Sequence, residues 1–218
     1  MTDEDYCPYF IYLPAGGAIA FYHHTLGLPV TEHSATAMAF QVGHTQLRFE
    51  YRPGAVPYHF AINIPYQQVD EAHQWLRERV TLLPDEHGEL IDFSNWNALA
   101  LYAYDGGGNI VEWIGRRDIP AIGLELFSAA AFMGISEIGV VTEGVAPVYD
   151  ALNDLAPLPV YDGSFDRFCA AGDPEGLFII IDKRRKQWFP TLEEAHVGDF
   201  TMRGDYNFSY IQGRVVGE

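Results

Sequence analysis

The chain has 218 residues, and 48% of them are apolar, which is enough for a sizeable core in one large domain or in one and a half small ones. A formal net charge of −17 excludes nucleic acid and anionic membrane surfaces as partners, because both would repel the protein. The acidic N-terminus lacks an apolar signal segment, and no apolar run reaches the roughly 20 residues of a membrane span, so we expect a cytoplasmic protein.

The first part of the chain predicts a unit made of a strand, a helix and further strands. Apolar residues 9–13 are typical of a strand, and residues 18–26 carry apolar side chains at helical spacing. Gly27 fits the C-terminal cap of this helix. Two alternating strands are then predicted over residues 37–42 and 45–51.

The same order of elements returns in a second unit. It opens with a predicted strand over residues 58–64, continues with a helix within residues 70–79, and closes with strands around 98–104 and 109–114. A repeated order of this kind indicates that the chain is built from copies of one unit.

A third unit follows with a less regular pattern. Its predicted elements are a strand over residues 135–141, a helix over 145–152 and a hairpin of strands 167–171 and 177–182. Residues 196–213 alternate again and predict one or two extra strands.

Two residues with chemical potential stand at strand positions of the second unit. His59 lies at the start of its first strand, and Glu112 lies between Val111 and Trp113 in its last strand, after the glycine run 106–108. A carboxylate in such an apolar strand either faces solvent or lines a cavity. Function therefore depends on whether His59 and Glu112 meet.

Two motifs resemble those of the vicinal oxygen chelate superfamily, which includes glyoxalase I, extradiol dioxygenases and bleomycin-resistance proteins. Residues 21–27 read Phe-Tyr-His-His-Thr-Leu-Gly and resemble its FYxxxLG helix end. Residues 105–112 resemble its DPxGNxxE hairpin, with Gly106 where proline is usual. The resemblance implies an α+β fold of tandem βαβββ units, in which the first two units pair into a half-open mixed-sheet barrel.

The resemblance also implies a divalent metal ion, with ligands from the first and last strands of the paired units. His59 and Glu112 fall on such positions, and Glu50 in the last strand of the first unit is the candidate third ligand. One imidazole and two carboxylates suit Fe, Mn, Ni, Co or Zn. Pro8 occupies the place of His59 in the first unit and cannot bind a metal.

The third unit departs further from the metal-binding pattern. Glu137 takes the place of His59, and Ile180 takes the place of Glu112, so we expect this unit to serve packing, closure or dimerisation. We expect domain boundaries at residues 1–117 for the paired units with the site, 118–133 for a packed linker and 134–218 for the degenerate third unit. An odd number of units leaves one without a partner, and the extra C-terminal strands or a second chain are expected to cover it.

Aromatic residues are candidates for substrate binding within the predicted barrel. Their strands would line it, and a flat ligand could stack on them, although ordinary core packing is the commoner role of such residues. These residues are Phe60, Trp96, Tyr102, Tyr104 and Trp113. The short basic run 183–186 reads as a solvated strand end or as an internal partner for acidic faces.

Two functions follow from the resemblance. The first is a metal-dependent enzyme that acts on a small oxygen-bearing substrate by isomerisation, lyase chemistry or ring cleavage. The second is a non-catalytic protein of the bleomycin-resistance type, which holds a small molecule between paired units of a homodimer and needs no metal. The sequence leaves the catalytic residues, the substrate and the metal open.

Overall fold

The computed structural model describes residues 7–13 as backbone and residues 17–120 and 126–217 in full. This part of the chain contains fifteen strands, two α-helices and a π-helical segment, Ile19–Thr25, within the first predicted helix. The helices are α1 (Val69–Arg77) and α2 (Val145–Leu155). The strands are β1 (Cys7–Leu13), β2 (Val30–His33), β3 (Ala37–Val42), β4 (Thr45–Tyr51), β5 (His59–Ile64), β6 (Ile91–Phe93), β7 (Ala98–Tyr104), β8 (Ile110–Arg116), β9 (Gly134–Thr142), β10 (Val160–Ser164), β11 (Phe168–Asp173), β12 (Gly176–Asp182), β13 (Phe200–Met202), β14 (Phe208–Ile211) and β15 (Arg214–Gly217).

The second and third units form one curled sheet of eight strands. Its order is β10-β11-β12-β9-β5-β8-β7-β6, so that the first strand of each unit lies beside its own last strand and both first strands meet at the centre. This arrangement confirms the α+β fold of tandem βαβββ units in a half-barrel sheet. The prediction that the first two units pair is wrong, because β5 bonds antiparallel to β9 of the third unit.

The first unit lies in a second sheet of seven strands. The order is β15-β14-β13-β1-β4-β3-β2, and β1 pairs antiparallel with β13. The chain thus covers its odd unit with C-terminal strands, as expected, but the covered unit is the first one and the strands number three. The first strand of each unit has free backbone N–H and C=O groups along one edge. These groups can pair with the first strand of another unit, as in β5 and β9, or with an extra strand, as in β1 and β13.

A shared core joins the two sheets. The strands β5 and β8 are buried along their whole length, and alternate side chains point to opposite faces of the sheet. One face packs into the core with both helices, and the other face forms the concave side of the half-barrel. The concave face is where a site can form.

The segment between β8 and β9 packs against the helix α1. Phe127 and Phe132 are buried, and their ring centroids lie 5.7 Å and 6.1 Å from that of Trp75. Residues 121–125 of the predicted linker lie outside the described residues. Across the described residues, no helix is long and apolar enough to cross a membrane.

Candidate metal centre

Three buried side chains with metal-ligating atoms meet at the seam between the second and third units. They are His59 in β5, Glu112 in β8 and Glu137 in β9, and one ligand atom from each lies within 4.8 Å of the others. His59 Nε2 is 3.4 Å from Glu112 Oε2 and 3.8 Å from Glu137 Oε2. His59 and Glu112 therefore do meet, and Glu137 joins them.

The strand register explains why these three side chains converge. Ala61 lies opposite Glu112 on one side of β5 and opposite Glu137 on the other. His59 is two residues before Ala61 and therefore points to the same face. The methyl group of Ala61 leaves open the space between the two carboxylates.

A hydrogen-bonded hairpin fixes β8 against β5. The Asp105 carboxylate accepts backbone N–H groups of Gly107 and Asn109 at 2.8 and 2.9 Å, and the hydroxyl of Tyr22 at 2.7 Å. Asn109 Oδ1 then accepts the backbone N–H of Tyr58 at 2.8 Å. Tyr58 precedes the histidine of the site, so the hairpin holds both strands that carry the second unit's candidate ligands.

Position 106 is glycine, where the motif usually has proline, for a steric reason. A Cβ atom on Gly106 would lie 2.5 Å from the Cα of Gly17, so that neither proline nor alanine fits without a shift of the backbone. The hairpin thus keeps its Asp and Asn hydrogen bonds while packing directly against the start of the first helical segment.

The two ring nitrogens of His59 have different neighbours: Nδ1 contacts a backbone carbonyl, and Nε2 faces the carboxylates. Nδ1 lies 3.3 Å from the carbonyl oxygen of Ile110, and only a protonated nitrogen can donate to a carbonyl. In the neutral imidazole the lone pair is then on Nε2, which faces Glu112 and Glu137. A backbone carbonyl that orients the imidazole in this way is the usual support of a metal-bound histidine.

A buried guanidinium holds Glu137 in place. Arg116, at the end of β8, is 1% exposed and donates from Nη2 to Glu137 Oε1. Its Nη1 donates to Asn63 Oδ1 and to Ser136 Oγ. The other carboxylate oxygen of Glu137 is left to face His59.

The charges of the cluster do not balance without a proton or a cation. Burial, and then the charge of Glu137, raise the pKa of Glu112 well above its usual range, while Tyr102 and Arg116 act in the opposite direction. Burial, followed by the charge of Glu112, also raises the pKa of Tyr102. The cluster has one guanidinium for two carboxylates, which favours a proton or a cation at Glu112.

A cavity of about 450 Å³ adjoins the cluster on the concave face of the sheet. Trp96 and Tyr102 line it, and Trp188 and Phe189 complete an aromatic wall. A role of Trp96 and Tyr102 in substrate binding stays a prediction. The ring centroid of Trp188 is 5.2 Å from that of the histidine in the cluster. The volume lies within the range of small-molecule sites.

The other predicted substrate-binding residues do not line this cavity. Phe60 and Trp113 are fully buried in the shared core, because they alternate with the cluster residues along their strands and point to the opposite face. Tyr104 lies at the end of β7 with 36% of its surface exposed and interacts with Glu193.

Glu50 does not belong to the cluster. It lies in β4 of the seven-stranded sheet, is partly exposed, and forms an ion pair with Arg48, which also binds Glu32 at 2.7 Å. The prediction of Glu50 as the third ligand is therefore wrong, and its cause is the incorrect pairing of the first two units. Pro8 lies in the same sheet, in β1, so its place in the repeat has no bearing on this site.

Glu137 is the site residue that the sequence prediction missed. The repeat does align it with His59, and this alignment is the signal that could have found it.

The prediction that Ile180 takes the place of Glu112 is wrong by one residue. Glu112 lies opposite Ala61, which is two residues after His59. In the third unit, Ile179 lies opposite Gly139, which is two residues after Glu137. A one-residue slip reverses the face, so Ile179 lines the cavity.

Two solved structures have a backbone arrangement similar to that of this chain. A "putative dioxygenase" from Bacillus subtilis matches with a TM-score of 0.60 and 15% identity over 95% of this chain and 66% of that chain. A glyoxalase I mutant from Zea mays matches with a TM-score of 0.52 and 11% identity over 91% of this chain and 70% of that chain. The chain thus spans about two thirds of the length of each.

The sequence matches no protein-family model, and no curated protein is significantly similar to it. At 11–15% identity, the two structures establish the arrangement of the backbone alone. The chain has a glyoxalase-like fold, as these two structures do.

Proposed function

We propose that the protein is a metal-dependent enzyme in which His59, Glu112 and Glu137 hold one divalent cation. The observation that carries this proposal is the convergence of three buried donor groups with too little positive charge around them. His59 Nε2 faces the carboxylates of Glu112 and Glu137. The two carboxylates repel each other unless a cation or a proton lies between them.

The donor set suits several first-row metals. One imidazole and two carboxylates are compatible with Fe, Mn, Co, Ni and Zn, and so the metal's identity stays a prediction. Ile179 offers no donor at the fourth strand position, which would leave coordination sites for oxygen atoms of a substrate. When bound, the cation would supply Lewis-acid chemistry at those oxygens.

The chain's own residues suit a small oxygen-bearing substrate. Trp96, Trp188 and Phe189 form apolar walls that would exclude water and stack against a flat molecule. The hydroxyl of Tyr102 is hydrogen-bonded to Glu112, and its ring lines the cavity beside the cluster, where it could contact the substrate. Isomerisation, lyase chemistry and ring cleavage all fit this arrangement.

The alternative function is binding without catalysis, as in the bleomycin-resistance proteins. Ile179, at a position where a fourth ligand could stand, favours this alternative, since an aromatic cavity with a protonated Glu112 needs no metal to hold a flat ligand. Its site would not need a second copy, because both units that form it belong to one chain. The homodimer stays a prediction, which the molecular mass in solution tests.

Elemental analysis of purified protein separates the two functions. We expect about one first-row metal ion per chain in the wild-type protein and in Glu50→Gln, and a loss of most of it in Glu137→Gln. Glu50 is the matched control, because it is a strand glutamate paired with an arginine outside the cluster. Equal metal content in both variants, or no metal in the wild type after incubation with Fe, Mn, Co, Ni and Zn salts, would contradict the enzyme proposal.

A further inference from the structure

The basic run 183–186 contains one side chain that turns into the cavity. Lys183 pairs with Glu143, Arg184 with Asp182, and Arg185 with Asp166, all outside the cavity. Lys186 instead lines the cavity, with its ammonium group 5.0 Å from the centroid of the Phe168 ring. Among the residues that the structure describes, no carboxylate lies within ion-pair distance of it.

An unpaired ammonium in this position is unusual for so acidic a chain. Four carboxylates line the same cavity, and each has another partner. Asp162 accepts Trp96 Nε1 at 2.6 Å, Asp92 accepts the hydroxyl of Ser94 at 2.7 Å, Glu137 pairs with Arg116, and Glu112 is hydrogen-bonded to Tyr102. Partial burial lowers the pKa of Lys186, and the charge of Arg167 lowers it further, with no carboxylate that acts against them. The group therefore lacks the counter-charge that a partly buried cation normally has.

The surroundings of Lys186 define the shape of a ligand that would supply this charge. Phe168 beneath the ammonium stacks with Trp96, with centroids 6.4 Å apart and an interplanar angle of 21°. The ring of Trp188 packs against that of His59, and both side chains line the same cavity. The cavity thus joins a cationic group and a donor cluster through flat aromatic walls.

We infer that the substrate is a planar aromatic acid whose carboxylate binds Lys186 while its oxygen substituents face His59, Glu112 and Glu137. The placement of the oxygen substituents rests on the proposed function, but the recognition of the carboxylate depends on Lys186 and the aromatic walls alone. A charge-assisted contact of this kind discriminates strongly against a neutral analogue, since the analogue leaves the ammonium unpaired.

Paired ligands test the inference. Protein loaded with Zn²⁺, which has no redox chemistry, is titrated with 3,4-dihydroxybenzoate and with catechol, and the quenching of tryptophan fluorescence reports binding. We expect 3,4-dihydroxybenzoate to bind about tenfold more tightly or better. We expect Lys186→Met to abolish this preference and Lys183→Met, the neighbouring surface control, to retain it.

Two results would overturn the inference: equal affinities for the two ligands in the wild type, or a preference that survives in folded Lys186→Met. Lys186→Gln serves as a second variant, and unchanged zinc content in either variant shows that the cluster is intact. If the wild type binds no metal, the proposed function fails but the inference remains testable, because metal-free protein should still prefer benzoate to benzamide. A lack of that preference would then overturn the inference as well.

Discussion

His59 presents Nε2 to two carboxylates, one of which is held by Arg116. Burial of the second, Glu112, and then the charge of Glu137 raise the pKa of Glu112. Metal and proton therefore compete for the same carboxylate, and metal binding should release a proton.

This competition predicts how the stability of the metal-free protein depends on pH. The folded state holds a proton on Glu112 that the unfolded state releases above the ordinary glutamate pKa of about 4.3. The folded state thus binds more protons, so stability falls as pH rises from there toward the raised pKa, by at most about 1.4 kcal/mol per pH unit for one proton. Urea denaturation in EDTA between pH 5 and 8 measures this slope.

Glu112→Gln should remove that component of the slope and unfold at higher urea concentration than the wild type at pH 8. Glu50→Gln is the control and should keep the wild-type slope, because its carboxylate is partly exposed and outside the cluster. A wild-type slope that Glu112→Gln leaves unchanged would show that the proton is bound elsewhere.

Among the strands, β5 is the one that brings the three side chains of the site together. It supplies the histidine itself, and through Ala61 it sets the distance between the carboxylates on its two neighbouring strands. An alternating strand pattern predicts which residues share a face, but it gives no information about which strands become neighbours. For this reason His59 and Glu112, which lie in one unit, could be predicted to meet, whereas the position of Glu137 in the repeat did not show that β9 lies beside β5.

The spacing role of Ala61 predicts a specific effect of added volume. Ala61→Val should lower metal affinity at least tenfold, because its methyl groups enter the space between Glu112 and Glu137, and should cost about 1–3 kcal/mol of stability from overpacking. Ala61→Gly should keep metal affinity and lose at most about 1 kcal/mol of stability. Metal competition titrations and urea denaturation measure the two effects, and equal metal affinity of both variants would contradict the role.

At the scale of the whole molecule, the site depends on the pairing of the second unit with the third. The repeat and two short motifs were sufficient to predict the unit, its order of elements and the half-barrel sheet. They could not predict the partner of each unit, because the free edges of β1, β5 and β9 are chemically alike and the choice between them depends on contacts distant in sequence. The slip between Ile179 and Ile180 has a similar origin, since a hairpin turn sets the register of its strand.

The near-symmetry of the paired units predicts that a fourth ligand can be restored. Ile179→Glu places a carboxylate at the position that matches Glu112 and should raise metal affinity about tenfold or more in a competition titration. Ile180→Glu is the matched neighbour, and it should destabilise the protein by several kcal/mol without raising metal affinity, because it buries a charge in the core. The reverse pattern would mean that Ile180, rather than Ile179, faces the site.

Anomalous diffraction from crystals grown with Mn²⁺ or Zn²⁺ shows whether one cation binds at the seam between the second and third units. We expect a single strong peak about 2.0–2.2 Å from His59 Nε2 and from one carboxylate oxygen each of Glu112 and Glu137. The absence of a peak among these three residues in metal-soaked crystals, or a peak bound by Glu50 instead, would contradict this expectation.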